Sequence, residues 1–343
     1  MSILALADDM TGALEIGAKF SAAGIRSLVS AKPVPLDSAP VVVFDTETRH
    51  SSPEFAQREI RRFVLDSGPA RPRLIYKKTD STLRGNISVE LRALAELFPT
   101  WRIGYGPAYP ALGRTVKDGV PYVDNVPVAD TAFAHDALNP IHDSSVSAMF
   151  EPQFPCTIFD GATDADLIAT AGAILSDEYM CIAAGPAGLA GTIAQQIDAR
   201  RSAPPPLPPV RSCLIINGSL HQQSASQTRF AEAHGCTSPA WRILHKSYSS
   251  GTTSSDVARR NSEYVVEQMS ASAPDAIFVI GGDTAFAVIT ALGLPTLSPI
   301  GEVLPGIPIS RIDGAQHDLL LITKAGGFGA TDALCRIRAI LDD

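Results

Sequence analysis

Residues 2–31 read SILALADDMTGALEIGAKFSAAGIRSLVSA, and this stretch predicts the fold of the first half of the chain. The apolar run Ser2–Ala7 is as short as a buried strand, and Gly12–Ala23 has apolar residues at helical spacing. Gly24 ends the predicted helix, and Leu28–Ala31 is a second apolar run. A strand, a helix and a further strand in this order predict a β-α-β unit, whose two strands run parallel in one sheet.

The same alternation continues along the first half of the chain. The further predicted strands are Val41–Asp45, Arg73–Lys77, Arg102–Gly106, Thr157–Phe159 and Met180–Ala184. The further predicted helices are Pro53–Leu65, Ile87–Phe98, Asp164–Leu175 and a stretch that ends at Arg200. Pro107–Pro155 is rich in proline, glycine, aspartate and aromatic residues, which indicates a long ordered insert. The pattern as a whole predicts a mostly parallel sheet with helices on both faces.

A proline-rich segment separates the two halves of the chain. Ala203–Pro209 reads APPPLPP, which cannot form a helix or an inner strand and is typical of a stiff spacer. Beyond it, the predicted elements are strands Ser212–Ile216, Ala276–Ile280 and Leu319–Thr323 and helices Gln222–Ala233, Ser254–Met269, Thr284–Leu292 and Thr331–Leu341. The predicted fold class is α/β, with two domains, residues 1–202 and 210–343, each a mostly parallel sheet flanked by helices.

The composition excludes several classes of protein. The chain has 343 residues, of which 45% are hydrophobic and 19% charged, and a formal net charge of −8 argues against nucleic acid as the main partner. The N-terminus lacks a basic segment, and no apolar stretch is long enough to cross a bilayer, so we expect a cytoplasmic protein without a membrane partner. The five scattered cysteines predict buried thiols in a reducing compartment, and neither disulfides nor a zinc site.

The first cluster of candidate site residues is ADDMTGA at Ala7–Ala13, between the first predicted strand and helix. Ligands of open α/β sheets bind outside the carboxyl ends of the strands, so a functional site is expected here. One of the carboxylates of Asp8 and Asp9 can cap the helix while the other accepts a proton or a hydroxyl group from a ligand. The alternative is that both carboxylates only cap the helix.

The second cluster follows the strand Arg73–Lys77 and reads KTDSTLRG from Lys78 to Gly85. Arg84 offers a forked donor that suits a carboxylate, whereas Lys78 offers a point charge. Ser81 can bond to hydroxyl groups, and Asp80 can orient the cations or accept a proton. A solvated run of charges would not explain the hydroxyl side chains and the glycine.

Glycine-rich turns follow three predicted strands of the second half. They are Asn217-Gly218-Ser219, Gly281-Gly282-Asp283-Thr284-Ala285 and Lys324-Ala325-Gly326-Gly327-Phe328-Gly329. Glycines allow a close approach of the backbone, and a following helix presents free N–H groups, so two such turns in one domain indicate a phosphate-binding site. The pattern is not a Walker A motif, and the first turn could equally be a simple β-turn.

In this order, the motifs resemble the four-carbon acid sugar kinase family over nearly the whole chain. The matching segments are Ala7–Ala13, Lys78–Gly85, Gly113–Pro140, Asn217–Gln227, Gly281–Ala285, Glu302–Ser310 and Lys324–Gly329. The resemblance implies an N-terminal domain that binds a sugar acid and a C-terminal domain that binds ATP. It further implies that the terminal hydroxyl of threonate, erythronate or 3-oxo-tetronate is phosphorylated in acid-sugar catabolism. By the same resemblance, Asp8, Asp9 and the KTDSTLRG positions hold the acid, and Ser219, Gly281, Gly282, Asp283, Thr284 and Gly326 hold ATP.

Phosphoryl transfer depends mainly on positioning and charge neutralisation, which suggests roles for these residues. We expect Arg84 and Lys78 to hold the substrate carboxylate, or one of them to reach the transferred phosphate. Asp9 is the predicted base, and Asp80 is the second choice. The turns at Gly281-Gly282 and Gly326-Gly327 are expected to hold the phosphates, with Mg²⁺ bridging them and Lys324 nearby, although the sequence indicates no metal ligands.

Two rival interpretations stay open at this stage. A dinucleotide-dependent oxidoreductase would need Gly-x-Gly-x-x-Gly after the first strand, where the chain instead reads ADDMTG. A degenerate family member that binds a sugar acid without catalysis is the second, because the chain is shorter than typical members between the proline spacer and Gly281. The sequence does not distinguish the four-carbon acids or their stereoisomers, and a homodimer is expected. We also expect the two domains to close across the spacer and exclude water during transfer.

Overall fold

A computed structural model of the protein describes residues 2–136, 138–197, 205–245, 253–293, 296–315 and 317–342. The chain divides into two compact units, Met1–Ala203 and Pro204–Asp343, which we call unit 1 and unit 2. The last three residues of the helix predicted before the spacer, 198–200, lie outside the described residues, as do residues 201 and 202 and the first two residues of the spacer. None of the described helices is both long and apolar enough to cross a membrane.

Unit 1 contains a seven-stranded, entirely parallel sheet, as the alternation in the sequence predicts. Its strands in spatial order are β2 (Ser27–Ser30), β3 (Val41–Asp45), β1 (Ile3–Ala7), β4 (Leu74–Lys78), β10 (Ile182–Gly185), β5 (Ile103–Tyr105) and β9 (Cys156–Ile158). Its helices are α1 (Met10–Ala22), α2 (Pro53–Asp66), α3 (Ile87–Leu97), α4 (Asp164–Ser176) and α5 (Ala187–Ile197). The predicted insert holds a small antiparallel sheet of β6 (Arg114–Lys117), β7 (Val120–Val123) and β8 (Val126–Pro127).

The central strands of unit 1 are buried throughout, which explains their continuous apolar runs. β1, β3 and β4 are buried at every position, because helices cover both faces of a parallel sheet of this kind. In the register of the sheet, Ala7 pairs with Asp45 and Leu6 pairs with Lys77. The carboxyl ends of β1, β3 and β4 therefore lie side by side, and the residues that follow them meet at one edge.

The first helix begins earlier than its apolar spacing predicts. α1 begins at Met10 rather than at Gly12, because the Asp9 carboxylate caps it by accepting from the backbone N–H of Gly12 at 2.8 Å. The cap lies directly after β1, so the strand and the helix are joined by only two residues.

Unit 2 contains a second, mostly parallel sheet. Its strands in spatial order are β12 (Trp241–Leu244), β11 (Cys213–Asn217), β13 (Ala276–Ile280), β16 (Leu320–Lys324), β15 (Ile307–Ile312) and β14 (Thr296–Leu304), of which the first four run parallel. Its helices are α6 (Gln222–Ala233), α7 (Ser254–Ala271), α8 (Gly282–Ala291) and α9 (Ala333–Leu341). A core of its own includes Cys213, Phe278 and Ile322 on three neighbouring strands.

Three strands of unit 2 were not predicted from the sequence. β12 has only four residues, too few for a clear alternation. β14 contains Pro299 and Gly301, which both argue against a strand, yet its pairing with β15 shifts register between these two residues and so accommodates the proline. β15 follows β14 after a two-residue turn and pairs with it antiparallel.

The expectation that all five cysteines are buried thiols is wrong. Cys236, which follows α6, forms a disulfide with Cys335 of α9, across 99 residues of sequence. The pairing depends on the packing of α6 against α9, which the spacing of the cysteines does not reveal. Of the three free cysteines, only Cys213 is buried, and Cys156 and Cys181 are partly exposed.

Candidate active site

Charged side chains gather at the carboxyl edge of the sheet in unit 1. Asp8 and Asp9 follow β1, Arg49 follows β3, and the remaining residues lie at the end of β4 or in the turn after it. We call the following residues the charged cluster: Asp8, Asp9, Arg49, Lys78, Asp80 and Arg84. All of them except Arg49 were predicted as site residues from the sequence.

Arg49 binds both carboxylates that follow β1. Its Nε and Nη2 atoms donate to the two carboxylate oxygens of Asp8 at 2.9 and 2.8 Å, and its Nη1 atom donates to Asp9 Oδ2 at 2.5 Å. The backbone N–H of Arg49 also donates to the carbonyl oxygen of Asp8. A forked guanidinium is the side chain best suited to such a pair of acids. The signal that could have identified Arg49 is its position just after β3, at the same edge as Asp8.

Asp9 is the most accessible of the three aspartates that were predicted to act here. Its side chain is 21% exposed, against 1% for Asp8 and 9% for Asp80. Asp9 Oδ1 caps α1 and Oδ2 takes Arg49, so the carboxylate is held in a fixed orientation while one side stays open. This geometry is that of a group which can accept a proton from a ligand.

The carboxylate of Asp8 binds Arg49 and interacts with the charges of Lys77 and Lys78. Burial alone would raise the pKa of Asp8, but the charges of Arg49, Lys77 and Lys78 together lower it to about 2. Asp8 is therefore ionised at neutral pH, and both of its carboxylate oxygens are occupied by Arg49.

Lys77 and Lys78 point to different partners. Lys77 is fully buried and forms an ion pair of 2.9 Å with Glu90 of α3, whose other oxygen accepts from Thr48. The ammonium of Lys78 donates to the carbonyl oxygen of Thr79 at 3.0 Å. It has no carboxylate within 4.0 Å in the described part of the chain, although the residue is only 6% exposed. A Cβ atom at Gly12 would lie 3.2 Å from Lys78 Nζ, so this ammonium lies beside the first turn of α1.

Asp80 and Arg84 form a second ion pair within the turn after β4. Asp80 Oδ2 accepts from Arg84 Nη2 at 2.8 Å, and Asp80 Oδ1 accepts from the backbone N–H of Thr82 at 2.8 Å. Burial would raise the pKa of Asp80, but Arg84 and Arg49 hold it well below its usual range. Arg84 also donates to Asp136 of the insert at 3.3 Å. Asp80 is thus better placed to hold Arg84 than to accept a proton.

Two buried polar atoms at the same edge lack a hydrogen-bond partner among the described residues. They are Thr11 Oγ1 and Asp45 Oδ2. Because unpaired buried polar groups are costly, they are suited to receive the hydroxyl groups of a ligand. Ser81, predicted as a substrate ligand, is partly exposed in the turn between β4 and α3.

The three glycine-rich turns of unit 2 lie next to one another. Asn217, the last residue of β11, pairs with Ile280 of β13, which in turn pairs with Lys324 of β16. All three strands therefore end at the same level, and the turns that follow them are neighbours. The backbone N–H of Gly218 donates to the Ile280 carbonyl at 2.9 Å, which ties the first turn to the second.

Ser219 of the first turn lies close to both of the other turns. A Cβ atom at Gly326 would be only 2.0 Å from Ser219 Oγ and 2.9 Å from Ser219 Cβ, so a side chain at Gly326 would force Ser219 or the turn to shift. Gly281 has a φ of 113° and approaches the backbone N–H of Ser219, which again requires glycine. Gly327 lies in the same turn as Gly326 and faces the ring of His221.

Helix α8 begins at Gly282, two residues earlier than predicted. Its first residues therefore belong to the second glycine-rich turn. Gly281 is the N-cap residue and offers no side-chain cap, so the first N–H groups of the helix stay available to an anion. Asp283 is exposed in the first turn, whereas Thr284 is buried. Uncapped N–H groups at a helix start are a type of site that can bind an anion such as phosphate.

The side chain of Lys324 stabilises the third turn through hydrogen bonds to its backbone. Its ammonium donates to the carbonyl oxygens of Ala325, Gly326 and Phe328 at 2.9 to 3.1 Å, and burial lowers its pKa to about 8. The sequence suggested that this amine lies near the phosphates. In the structure its three hydrogen bonds are used inside the turn, so it shapes the backbone rather than facing a ligand. Gln227 of α6 holds the same turn through the Phe328, Gly329 and Ala330 carbonyls.

A bound magnesium ion would depend on the nucleotide for most of its ligands. In the described ranges, no three His, Cys, Asp or Glu side chains come together as a metal site. Nucleotide-bound Mg²⁺ usually takes phosphate oxygens, waters and one or two carboxylates. Asp283 is a carboxylate on the same turn as the free N–H groups, so unit 2 can supply such a ligand.

Two family models match the chain, one in each unit. Residues 3–156 match a model described as a sugar-binding N-terminal domain. Residues 211–334 match a model described as a nucleotide-binding C-terminal domain. Unit 1 holds the charged cluster, and unit 2 holds the glycine-rich turns.

Relatives of known activity are similar to the chain over nearly its whole length. A D-threonate kinase of Bordetella bronchiseptica is 27% identical over an alignment that covers 96% of this chain and 95% of that enzyme. A D-threonate kinase of Cupriavidus necator is 28% identical over an alignment that covers 97% of this chain and 96% of that enzyme. A 3-oxo-tetronate kinase of Methylobacterium radiotolerans is 25% identical over an alignment that covers 95% of this chain and 96% of that enzyme.

Solved structures share the fold. The crystal structure of a Haemophilus influenzae protein covers 98% of this chain and all of its own, with a TM-score of 0.74 and 16% identity. A domain of unknown function from Bordetella bronchiseptica, solved with bound citrate as a domain-swapped dimer, covers 99% of this chain and 98% of its own. Its TM-score is 0.52, and its identity is 25%.

Proposed function

Because this chain belongs to the four-carbon acid sugar kinase family, we propose that it transfers the γ-phosphoryl group of ATP to the terminal hydroxyl of a four-carbon sugar acid. The D-threonate and 3-oxo-tetronate kinases that it resembles along nearly their whole length support this substrate class. Threonate, erythronate and 3-oxo-tetronate are the acids to be tested.

The observation that carries the proposal is the buried ammonium of Lys78. It lies beside the capped end of α1, with no carboxylate within 4.0 Å in the described part of the chain, and next to Asp9, the most accessible aspartate of the charged cluster. Because Lys78 is buried and makes no direct ion pair with another described residue, an anion that binds beside its ammonium would be stabilised by its charge. A cation and a base side by side are the groups that a hydroxyl needs when it attacks a phosphate.

In this proposal, each residue of the charged cluster has its own task. Asp9 accepts the proton of the attacking hydroxyl, while Lys78 neutralises charge on the transferred phosphate. Asp8 holds Arg49, and Arg49 fixes the orientation of Asp9. Asp80 keeps Arg84 in place near the acid, with Ser81 at the mouth of the turn.

ATP is proposed to bind in unit 2 across the three glycine-rich turns. The N–H groups at the start of α8, from Gly282 to Thr284, and the turn at Gly326-Gly327 would bind its phosphates, with Ser219 between them. Asp283 would supply a carboxylate for Mg²⁺, and this ion would neutralise the phosphate charge.

The test is an ADP-release assay coupled to NADH oxidation, with D- and L-threonate, D- and L-erythronate and 3-oxo-tetronate as substrates. We expect magnesium-dependent ADP release with at least one of these acids and none with the matching four-carbon polyols. Purified protein that binds these acids in calorimetry but releases no ADP would contradict the kinase proposal and leave a non-catalytic binding protein.

We also propose a homodimer, because the Bordetella bronchiseptica domain of similar fold is described as a domain-swapped dimer. Light scattering after size exclusion at micromolar concentration would give twice the mass of the 36.2 kDa chain. A monomer mass over the whole concentration range would contradict this proposal without affecting the kinase proposal.

A further inference from the structure

Most of the cations in the site of unit 1 are already neutralised by carboxylates of the protein. Arg49 is paired with Asp8 and Asp9, Lys77 with Glu90, and Arg84 with Asp80 and Asp136. The guanidinium groups of Arg49 and Arg84 therefore already donate to carboxylates of the protein. A substrate carboxylate is best bound by a cation whose charge is not yet balanced.

Arg114 is a further cation at this site, and its charge is poorly balanced. Its nearest carboxylate is that of Asp124, at 3.9 Å from Nη1, and the Asp124 side chain is 81% exposed. The Arg114 side chain itself is only 20% exposed. An ion pair at this distance with a solvated acid contributes little, so the guanidinium keeps most of its donors for another partner.

The insert brings Arg114 within electrostatic range of the charged cluster. Arg114 opens β6, and its backbone N–H and carbonyl pair with those of Tyr109, just after β5. The hydroxyl of Tyr109 donates to Glu15 of α1 at 3.0 Å, which ties this part of the insert to the helix that Asp9 caps. The guanidinium of Arg114 lies within electrostatic range of Asp80 and Arg84.

We propose that Arg114 is the main ligand of the substrate carboxylate, an inference that rests on the kinase function proposed above. A planar guanidinium can donate two parallel hydrogen bonds to a carboxylate, which a lysine ammonium cannot. Arg84, on the same side of the cluster, would add a second donor. The acid is then bound with its carboxylate toward Arg114 and its terminal hydroxyl toward Asp9 and Lys78.

This orientation explains why the site contains cations of two kinds. Lys78 lies by the end of α1, where the hydroxyl is expected to react, whereas Arg114 and Arg84 lie toward the insert. A four-carbon acid has its carboxylate and its terminal hydroxyl at opposite ends, so its two ends would meet different groups.

The experiment compares an acid with its own neutral amide. Calorimetry would measure the binding of D-threonate, or of whichever four-carbon acid binds best, and of the corresponding primary amide to the wild type, Arg114→Gln and Arg114→Lys. We expect Arg114→Gln to lower the affinity for the acid by about 10- to 100-fold and the affinity for the amide by less than about threefold. The reason is that only the acid offers a charged carboxylate to the hydrogen bonds of Arg114. Arg114→Lys should recover part of the affinity for the acid. Steady-state assays should show the effect in KM rather than in kcat.

Arg92→Gln is the matched control, because Arg92 is an exposed arginine of the same unit that pairs with Glu151 on the surface. It should bind both ligands like the wild type. Equal weakening of acid and amide by Arg114→Gln would show a structural role and overturn the inference, as would unchanged binding of the acid. If the wild type binds acids selectively over amides but never releases ADP, the kinase proposal fails while the carboxylate site stands.

Discussion

Asp9 is proposed to combine two tasks that the sequence left as alternatives. One oxygen caps α1, and the other is bound by Arg49, yet 21% of the side chain remains exposed. The cap fixes the carboxylate next to Lys78, so the same residue that starts the helix can receive a proton from the substrate. Structure and proposed catalysis therefore depend on a single side chain.

This dual role can be separated by the substitution Asp9→Asn. Asparagine caps helices as well as aspartate does, so the fold and the binding of the acid should be kept. It cannot accept the hydroxyl proton, and we expect kcat to fall by about 10²- to 10⁴-fold. The measurement is kcat in the ADP-release assay, with calorimetry of the acid as the check on folding. A kcat close to that of the wild type would exclude Asp9 as the base.

The buried pair of Asp8 and Arg49 predicts a pH dependence of stability. The pKa of Asp8 is lowered to about 2 from 3.8, so its contribution is fully present above about pH 4 and is lost as the pH falls toward 2. A shift of this size corresponds to about 2 kcal/mol at pH 7. Urea unfolding should therefore show Asp8→Asn to be less stable than the wild type at pH 7, with a smaller difference at pH 3.

Asp37→Asn provides the comparison, because Asp37 is an exposed aspartate of the same unit. Its free energy of unfolding should follow that of the wild type at both pH values. A difference between Asp8→Asn and the wild type that stays constant from pH 7 to pH 3 would disprove the assigned role of the ion pair.

Among the elements, the turns after β11, β13 and β16 depend on one another. Lys324 and Gln227 hold the carbonyl groups of the third turn, and Ser219 fills the space beside Gly326. The N–H groups that are proposed to bind phosphate thus have their positions set by contacts between turns that are distant in sequence. A small change in one turn should therefore alter the affinity for the nucleotide.

The substitution Gly326→Ala tests this dependence. Its Cβ atom would lie 2.9 Å from Ser219 Cβ and 2.0 Å from Ser219 Oγ, so Ser219 or the turn must shift. Such overpacking typically costs about 1–3 kcal/mol, and we expect the KM for ATP to rise by about 10-fold or more. Gly301→Ala in β14 is the control, because the nearest side-chain atom would be 3.5 Å away, an ordinary contact. If both variants have the ATP KM of the wild type, the turn is not part of the nucleotide site.

At the scale of the whole molecule, the two proposed ligands are assigned to separate compact units. Unit 1 has its own core and the charged cluster, and unit 2 has its own core and the glycine-rich turns. A ligand that binds a folded unit stabilises it by mass action, whichever unit it binds. Each ligand should therefore raise the unfolding temperature when added alone.

This assignment predicts opposite behaviour of two variants in thermal unfolding. Arg114→Gln should lose the shift caused by the sugar acid and keep the shift caused by magnesium ATP, because it removes the proposed ligand of the acid's carboxylate in unit 1. Gly326→Ala should lose the ATP shift and keep the acid shift. Loss of both shifts in either variant, with an unchanged unfolding temperature of the free protein, would contradict the assignment of one ligand to each unit.

The sequence by itself determined the α/β fold class, most of the helices and parallel strands, and the two groups of motifs that follow strand ends. It could do so because apolar spacing is a local property, and because glycines and charges just after a strand lie at its carboxyl end in any parallel sheet. The family resemblance was equally readable, since it depends on motifs in a fixed order.

Only the tertiary structure decided which charges are paired and which are left for a ligand. Arg49 lies 41 residues from Asp8 in sequence, and the Cys236–Cys335 disulfide spans 99 residues. Such contacts depend on which strands and helices become neighbours, which local spacing does not encode. The same holds for Lys324, whose ammonium turns inward to three carbonyl groups, and for Arg114, whose guanidinium is left with only a distant, solvated carboxylate.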